Sequence, residues 1–338
     1  MCSSPTREHD APLVTFALFA YNQEKYIREA VAGALAQDYP NLEIIISDDC
    51  SADLTYEVIN NLIEAYEGPH HVSTRQTEAN RGLLLHVAEV ARIARGKLLV
   101  LAAGDDVSKQ DRVSVLHQAW MTTGAWGLCS TFDRISADGA LIAANVRSPV
   151  IDKHGFERFF FDEEGPVRVV HGCTSAYDAR VFQHLRLSPS DYVLSEDGAI
   201  SVLLNLLGKE IVHLDESLVL YRESPESLTN NSGRRPLSFD EIDRDERNIE
   251  RFSRAQANRC RLFLRMNEQP ALNVRRLRIE GVETELARQE ATSQWFQMPL
   301  RKRATTLIDR RLDRKWAMPR LLGRKAFYLV KWLATRLW

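Results

Sequence analysis

Two pairs of adjacent carboxylates are placed where chemistry can happen. The first closes the run Lys97-Leu98-Leu99-Val100-Leu101-Ala102-Ala103-Gly104-Asp105-Asp106. Its apolar part reads as a buried strand that Gly104 ends. Carboxylates at the carboxyl end of a strand in an open α/β sheet sit where ligands bind, and paired hard oxygens suit Mg²⁺ or Mn²⁺ carrying a diphosphate. The plainer alternative is a turn leading into an acidic helix N-terminus. The second pair is Ser195-Glu196-Asp197, which opens the largely apolar stretch Gly198 to Leu207. A carboxylate at a helix start can take the proton of an attacking hydroxyl, or it can simply favour the helix macrodipole. A third acidic cluster, Ser47-Asp48-Asp49, follows the β-branched run Leu42 to Ile46.

The elements that must hold these groups follow from periodicity. Leu13 to Phe19 is a β-rich run that stops at Ala20-Tyr21-Asn22-Gln23. From Glu24 to Gln37, Tyr26, Ile27, Ala30, Val31, Ala34 and Leu35 recur at helical spacing. Leu42 to Ile46 then completes a βαβ unit, hence a parallel pair with a right-handed crossover. A helix from Leu54 to Tyr66, a strand from Val72 to Gln76, a turn at Asn80-Arg81-Gly82, a helix from Leu83 to Ala94 and the strand from Lys97 extend this to a doubly wound α/β layer structure. Neither GxGxxG nor GxxxxGK[ST] follows the first strand, so phosphates must be neutralised by metal and side chains. Beyond Asp106 the spacing predicts a helix from Val107 to Met121, a strand at Gly127 to Phe132 and a hairpin turn at Asp138-Gly139. Ser148 to Pro166, with Phe156, Phe159, Phe160 and Phe161, reads as a helix and loop over the cleft. Val167 to Ala176 reads as a strand in which His171 is packed or hydrogen-bonded.

Phe19-Ala20-Tyr21-Asn22, Gln37 to Asn41, Glu43 to Asp53 (EIIISDDCSAD), Asn80-x-Gly82 and Gly104-Asp105-Asp106 together resemble the nucleotide-sugar-binding half of glycosyltransferase family 2. The resemblance is dense over residues 12–110 and thins to about residue 223. It implies the α/β GT-A nucleotide-diphospho-sugar transferase fold over residues 12–235, after a flexible leader of residues 1–11. It also implies an inverting, metal-dependent transfer of a sugar from a nucleoside-diphosphate sugar, with UDP or dTDP expected, to a glycan or lipid-linked acceptor. Carried onto matching positions, Asp49 would contact the base, Asp105 the ribose and Asp106 the metal, Mg²⁺ or Mn²⁺. Ala20, Tyr21, Asn22 and Asn80 would line the nucleotide-sugar site. The family's D-x-D form would place an Asp at position 103, where this chain has Ala103, so a weakly held metal on Asp106 is expected. The family's Glu-Asp motif matches Glu196-Asp197, with Asp197 as base and Glu196 orienting acceptor or base. Leu218 to Arg222 resembles the late strand ending in Tyr-Arg, where Arg222 meets a phosphate or a structural ion pair. The His that usually follows is absent. Two rival readings stand beside this one: a nucleotidyltransferase, and a degenerate relative that binds nucleotide or scaffolds an assembly.

The formal charge of −2 conceals an asymmetry. Arg301 to Trp338 carries twelve Lys and Arg against Asp309 and Asp313, a net +10, leaving −12 on residues 1–300. Charged helix formers from 236 to 300 predict a helical extension of one or two long helices, interrupted at Pro270 and Gly281. The closing Lys325 to Trp338 is basic, apolar and tryptophan-bearing, too short to span a bilayer. It suits either an anionic membrane interface or docking on the acidic body of its own or a neighbouring subunit. No nucleic-acid module accompanies the charge. Five cysteines without any CxxC, no signal-type apolar leader and no run of about 18 apolar residues point to a cytoplasmic protein, peripheral on the membrane where the tail binds it.

Overall fold

The computed structural model describes residues 11–147, 161, 168–193, 195–224, 238–269, 276–308 and 314–336. The leader, most of the segment from Ser148 to Pro166 and the boundary at residue 235 lie outside them. Among the described residues a nine-stranded sheet runs in the order β3-β2-β1-β4-β8-β6-β9-β5, with β7 on β6. Its parallel half is β1 (Val14–Ala20), β2 (Leu42–Asp48), β3 (His71–Gln76) and β4 (Leu98–Ala103). Three helices, α1 (Ile27–Leu35), α2 (Thr55–Glu64) and α3 (Leu83–Ile93), make the crossovers. Every residue of β1 and β2 is buried, as required of central parallel strands covered on both faces. Alternation sends Phe16, Leu18, Ile44 and Val100 to one core layer, and Ala17, Phe19, Ile45 and Leu101 to the other.

The second half departs from the expected elements. The residues after Asp106 first form a short strand, β5 (Val107–Ser108), paired with β9 (Ile211–Glu223). Helix α4 (Arg112–Thr123) begins only afterwards. Strand β6 (Gly127–Ser136) is longer than its apolar run and turns through Asp138-Gly139 into β7 (Leu141–Val146), with Gly139 at φ 87°. The predicted strand over Val167–Ala176 is reduced to β8 (Ala176–Asp178), because Gly172–Thr174 makes a 3₁₀ turn. Helix α5 (Glu196–Leu206) begins at Glu196, so the acidic pair occupies its first turn. In the extension, α6 (Phe239–Asn267) starts with a capping box from Ser238 and Glu241. Gly281 does not interrupt a helix, since it lies inside α7 (Ile279–Ser293).

The basic tail folds as α8 (Leu300–Ile308), α9 (Arg314–Ala317), a 3₁₀ turn at Met318–Arg320 and α10 (Arg324–Arg336). Its inner face docks on the acidic start of α6. Arg320 reaches both carboxylate oxygens of Glu246, at 2.8 and 2.6 Å, and lies 4.6 Å and 4.2 Å from the Trp316 and Phe327 ring centroids. Arg324 bonds Glu250, the Tyr328 hydroxyl donates to Asp243, and Lys331 faces Asp245. The tail's docking alternative is therefore realised within the chain itself. Arg320 and Glu246 are 8% and 1% exposed, so removing one partner strands a buried charge. Arg320→Met is expected to lower the unfolding free energy by about 3–5 kcal/mol, read from urea denaturation.

Candidate active site

The chain leaves β1 for β2 and β3 on one side and returns at β4 on the other. This is the topological switch point of an open α/β sheet, where the loops at the strand carboxyl ends leave a crevice for a ligand. Those loops are tied to one another. Asn22 sits at φ 51°, a left-handed conformation Asn tolerates better than most residues. Its amide donates to Ser51 Oγ at 2.7 Å, and its side-chain oxygen accepts from Ala52 N at 2.9 Å. Asp48 closes the β2 turn by accepting from Ser51 and from Gln76 Nε2. Asp49 is buried and accepts from Thr77 Oγ1 (3.0 Å), Arg81 N (2.8 Å) and Gly82 N (3.0 Å). Asn80 Oδ1 also accepts from Gly82 N, at 3.2 Å. Asp49 and Asn80 thus shape the loop after β3, and Asn22 joins the loops after β1 and β2. Ala20 is buried and its carbonyl accepts from Asp49 N, whereas Tyr21, 48% exposed, is open to solvent, as are Asn22 and Asn80.

Asp105 and Asp106 follow β4 beside Arg222 of β9. Asp106 Oδ1 accepts from Arg222 N at 2.8 Å, while Oδ2 is buried with no nitrogen or oxygen donor on it, the Cys173 thiol being the other group that acts on this carboxyl. Burial, then the neighbouring Asp105, push the Asp106 carboxyl well above the usual carboxylate range, and burial raises Asp105 too. A carboxylate oxygen held dry and unpaired beside a second acid is the arrangement that a divalent cation relieves. No group of three or more His, Cys, Asp and Glu among the described residues could hold a metal. Asp106 therefore fits as a single protein ligand whose cation would complete its shell from phosphate and water. Arg222 is 1% exposed, and its side-chain donors are committed: Nε to Asp105 O (2.9 Å), Nη1 to Ser136 O and Ala137 O, Nη2 to Glu29 (2.9 Å). Of the two roles expected for Arg222, the geometry gives the structural one. It clamps the Asp105-Asp106 turn instead of presenting a free phosphate-binding fork.

Across from this turn, His171-Gly172-Cys173 passes between the two acidic pairs. A Cβ on Gly172 would lie 2.6 Å from Glu196 Oε1 and 3.6 Å from Asp197 Oδ2, so only glycine fits there without a shift. Glu196 is buried, and burial followed by the charge of Asp197 raises its pKa to about 8. Asp197 is half-buried and accepts from Gly198 N at 2.7 Å. Because the folded state keeps the Glu196 proton between the ordinary 4.5 and about 8, native stability falls as pH rises through that window. Glu196→Gln is expected to flatten this decline, seen as a smaller drop in Tm between pH 5 and pH 8.

Two contributors escape sequence reasoning, Arg112 and the Cys173 thiol. Arg112 is fully buried at the start of α4, donating to Leu101 O (2.6 Å), Cys173 O (2.9 Å) and Ser108 Oγ (2.8 Å). Burial lowers its pKa only to about 10, so it remains a cation near Asp106. A basic residue in the first turn opposes the helix dipole, which was the one available signal. Cys173 carried none, because its partners come from distant elements, while His171, read as packed or hydrogen-bonded, stacks on Phe132 with Nδ1 3.4 Å from Cys173 Sγ.

A family model for glycosyl transferase family 2 matches residues 15–186, just over half of the chain. Succinoglycan biosynthesis protein ExoO of Rhizobium meliloti is 31% identical over 136 residues, 40% of this chain and 38% of that protein. The matches span about a quarter to about half of the length of the curated relatives. Among solved structures, Staphylococcus aureus TarS with UDP-GlcNAc aligns over 94% of this chain and 89% of its own, at TM-score 0.53 and 14% identity. The mannosyltransferase PcManGT of Pyrobaculum calidifontis, with GDP-Man and Mn²⁺, aligns over 98% and 88%, at TM-score 0.53 and 16% identity. At such identities these likenesses speak for the α/β GT-A fold. With its switch-point carboxylates, its Glu-Asp helix start and the family match over half its length, the chain belongs to glycosyl transferase family 2.

Proposed function

We propose that the protein transfers a sugar from a nucleoside-diphosphate sugar to an acceptor hydroxyl by a single inverting displacement that depends on Mg²⁺ or Mn²⁺. The observation that carries this is the buried Asp106 carboxyl at the switch point, on whose Oδ2 no nitrogen or oxygen donor bears, with the buried Glu196 and the half-buried Asp197 against Gly172, the residue before Cys173. A bound divalent cation would offset the negative charge that gathers on the departing diphosphate. Asp106 would hold that cation, with Asp105 alongside and Arg222 fixing the turn. Asp197 takes the proton of the acceptor hydroxyl, whose oxygen then bonds to the anomeric carbon. The bond from that carbon to the diphosphate breaks, and its electron pair leaves on the diphosphate. Glu196 hydrogen-bonds the acceptor or Asp197 without competing for the proton. Asp49, Asn80, Asn22, Ala20 and Tyr21 form the loops that receive the nucleotide.

The donor is expected to carry UDP or dTDP, and the acceptor to be a glycan or lipid-linked sugar in surface-polysaccharide or O-antigen assembly; TarS with UDP-GlcNAc and PcManGT with GDP-Man support a nucleotide-sugar donor, and the name of ExoO supports polysaccharide assembly. Calorimetric titration with UDP, dTDP, GDP and CDP, each with and without Mn²⁺, tests the donor site. The product then separates the alternatives. Free nucleoside diphosphate with an inverted anomer supports the reading, pyrophosphate would indicate nucleotidyl transfer, and failure of all four nucleotides would leave a scaffold.

No helix among the described residues is long and apolar enough to cross a membrane. The outer side of the tail nevertheless carries exposed Met318, Leu322 and Leu329 with Lys325. Lys325 and Leu329 stand one helical turn apart on α10, and Met318 and Leu322 precede it, Leu322 in the turn that Gly323 closes at φ 109°. This fits attachment to an anionic bilayer. The protein is expected to sediment with phosphatidylglycerol vesicles and not with phosphatidylcholine ones, and Leu322→Glu with Leu329→Glu to abolish that sedimentation.

A further inference from the structure

The loop after β3 carries a neighbour with no part in the bond-making. Gly82 stands at φ 75° where that loop enters α3, and its amide donates to Asp49 Oδ2 and Asn80 Oδ1. A Cβ placed on Gly82 would lie 2.8 Å and 2.9 Å from Cε2 and Cδ2 of Tyr192. The Tyr192 ring therefore rests directly on the Gly82 backbone, and a side chain at position 82 would displace it. Tyr192 belongs to the segment just ahead of Glu196 and Asp197. It thus reaches from the acceptor-side acids to the loop that Asp49 orders.

The ring is presented by a turn that is locked from two sides. Asp191, 2% exposed, accepts from Ser188 N at 2.7 Å through one carboxylate oxygen and from Arg265 of α6 through the other, while its amide donates to Ser188 O at 2.9 Å. Asn258, two turns before Arg265 on the same helix, donates to the Tyr192 carbonyl at 3.2 Å. Val193 anchors the next position in the core. The backbone around Tyr192 is thus fixed, yet its side chain remains 36% exposed. Covering a glycine needs only an apolar side chain. A flat ring that is held in place and still open to solvent, beside a loop that receives a nucleotide, offers a planar surface on which a base can stack at little cost in ordering.

We infer that Tyr192 is a donor-binding residue whose ring, seated on Gly82 and held by α6 through Asp191 and Asn258, forms an aromatic wall against which the nucleobase stacks. This rests on the loop after β3 receiving the nucleotide of the donor. Every base has a flat face, so the wall adds affinity for the nucleoside without choosing the base. The helical extension thereby takes part in donor binding, since two of its side chains hold the segment that carries the ring.

UDP, dTDP, GDP and CDP are titrated calorimetrically, with and without Mn²⁺, into the full chain and into Tyr192→Ala, Tyr192→Leu and Tyr192→Phe, each beside a thermal melt. Tyr192→Ala is expected to weaken the best-binding nucleotide about ten- to hundredfold, with the gain in affinity on adding Mn²⁺ and the order of the four nucleotides unchanged. Tyr192→Leu still covers Gly82 but has no flat face, so it should lose nearly as much, and Tyr192→Phe should recover most of the loss. Wild-type affinity in Tyr192→Ala would overturn the inference. So would wild-type affinity in Tyr192→Leu, which would make the ring a cover for Gly82 alone, and so would a loss confined to the Mn²⁺-dependent part, which would place its effect on the diphosphate. If the unaltered chain binds none of the four, the transferase reading falls and the inference with it. That result is told apart from the others because the wild type itself shows it.

Discussion

Asp106→Asn is expected to abolish metal-dependent donor binding while leaving the fold at least as stable as before. The substitution is nearly isosteric, and the oxygen that accepts from Arg222 N can remain in place. The atom replaced is Oδ2, which is buried and accepts from no nitrogen or oxygen donor. Removing the charge of a carboxyl that burial and Asp105 already disfavour costs the native state little. A cation, however, loses its protein ligand, since nothing at position 103 can take over from Ala103. Turnover should fall by about 10³-fold or more, the scale of losing electrostatic stabilisation of a leaving group. The measurements are calorimetry with UDP and Mn²⁺ beside a thermal melt. A lowered Tm with Mn²⁺-dependent binding retained would reverse the assignment and make Asp106 a structural residue.

Asp197→Asn should produce the complementary pattern. Its neighbours on the donor side, Asp105, Asp106 and Arg222, keep their contacts, so nucleotide and metal should bind as in the wild type. The acceptor proton then has no base to receive it, and kcat is expected to drop by about 10²- to 10⁴-fold. Glu196 cannot substitute at neutral pH, because burial and its neighbour hold its proton on up to a pKa of about 8. Neutralising Asp197 removes one of the two causes of that shift, so the Glu196 pKa should fall in the same variant. Residual activity that rises with pH would mark Glu196 taking over as a weak base. Near-normal turnover at pH 7 would instead remove Asp197 from the mechanism.

Much of the parallel half was legible in the residues because its signals are local. Leu42 to Ile46 and Leu98 to Ala102 are β-branched or apolar runs bounded by turn formers, and the helices between them alternate at helical spacing. Their order alone requires a parallel sheet with ligand-binding loops at one end, which places Asp49, Asp105 and Asp106 together. The strands of the second half were read poorly for an equally physical reason. Two-residue β5 and three-residue β8 exist because they pair with β9, β4 and β6, and pairs that distant in sequence leave no periodic mark. Helix spacing at Val107 yielded to the pairing of Val107 with Leu220.

The tail shows the same division. Its charge and its amphipathic spacing were visible, and so were two partners for it, a bilayer or an acidic surface. Which acidic surface depended on where α6 lies, and that is a matter of packing. Likewise the residues themselves determined that this chain builds a nucleotide-sugar-type sheet with carboxylates at its switch point, since strand order and turn chemistry are set by short-range preferences. Only the tertiary structure decided what each charged group does there. Arg222 became a clamp, Asp106 was buried beside the Cys173 thiol, the Glu196 carboxyl was pushed up toward its protonated form and the His171 turn came to stand between the two acidic pairs, because burial and long-range contacts set the energy of a charge and no neighbour in sequence reports them.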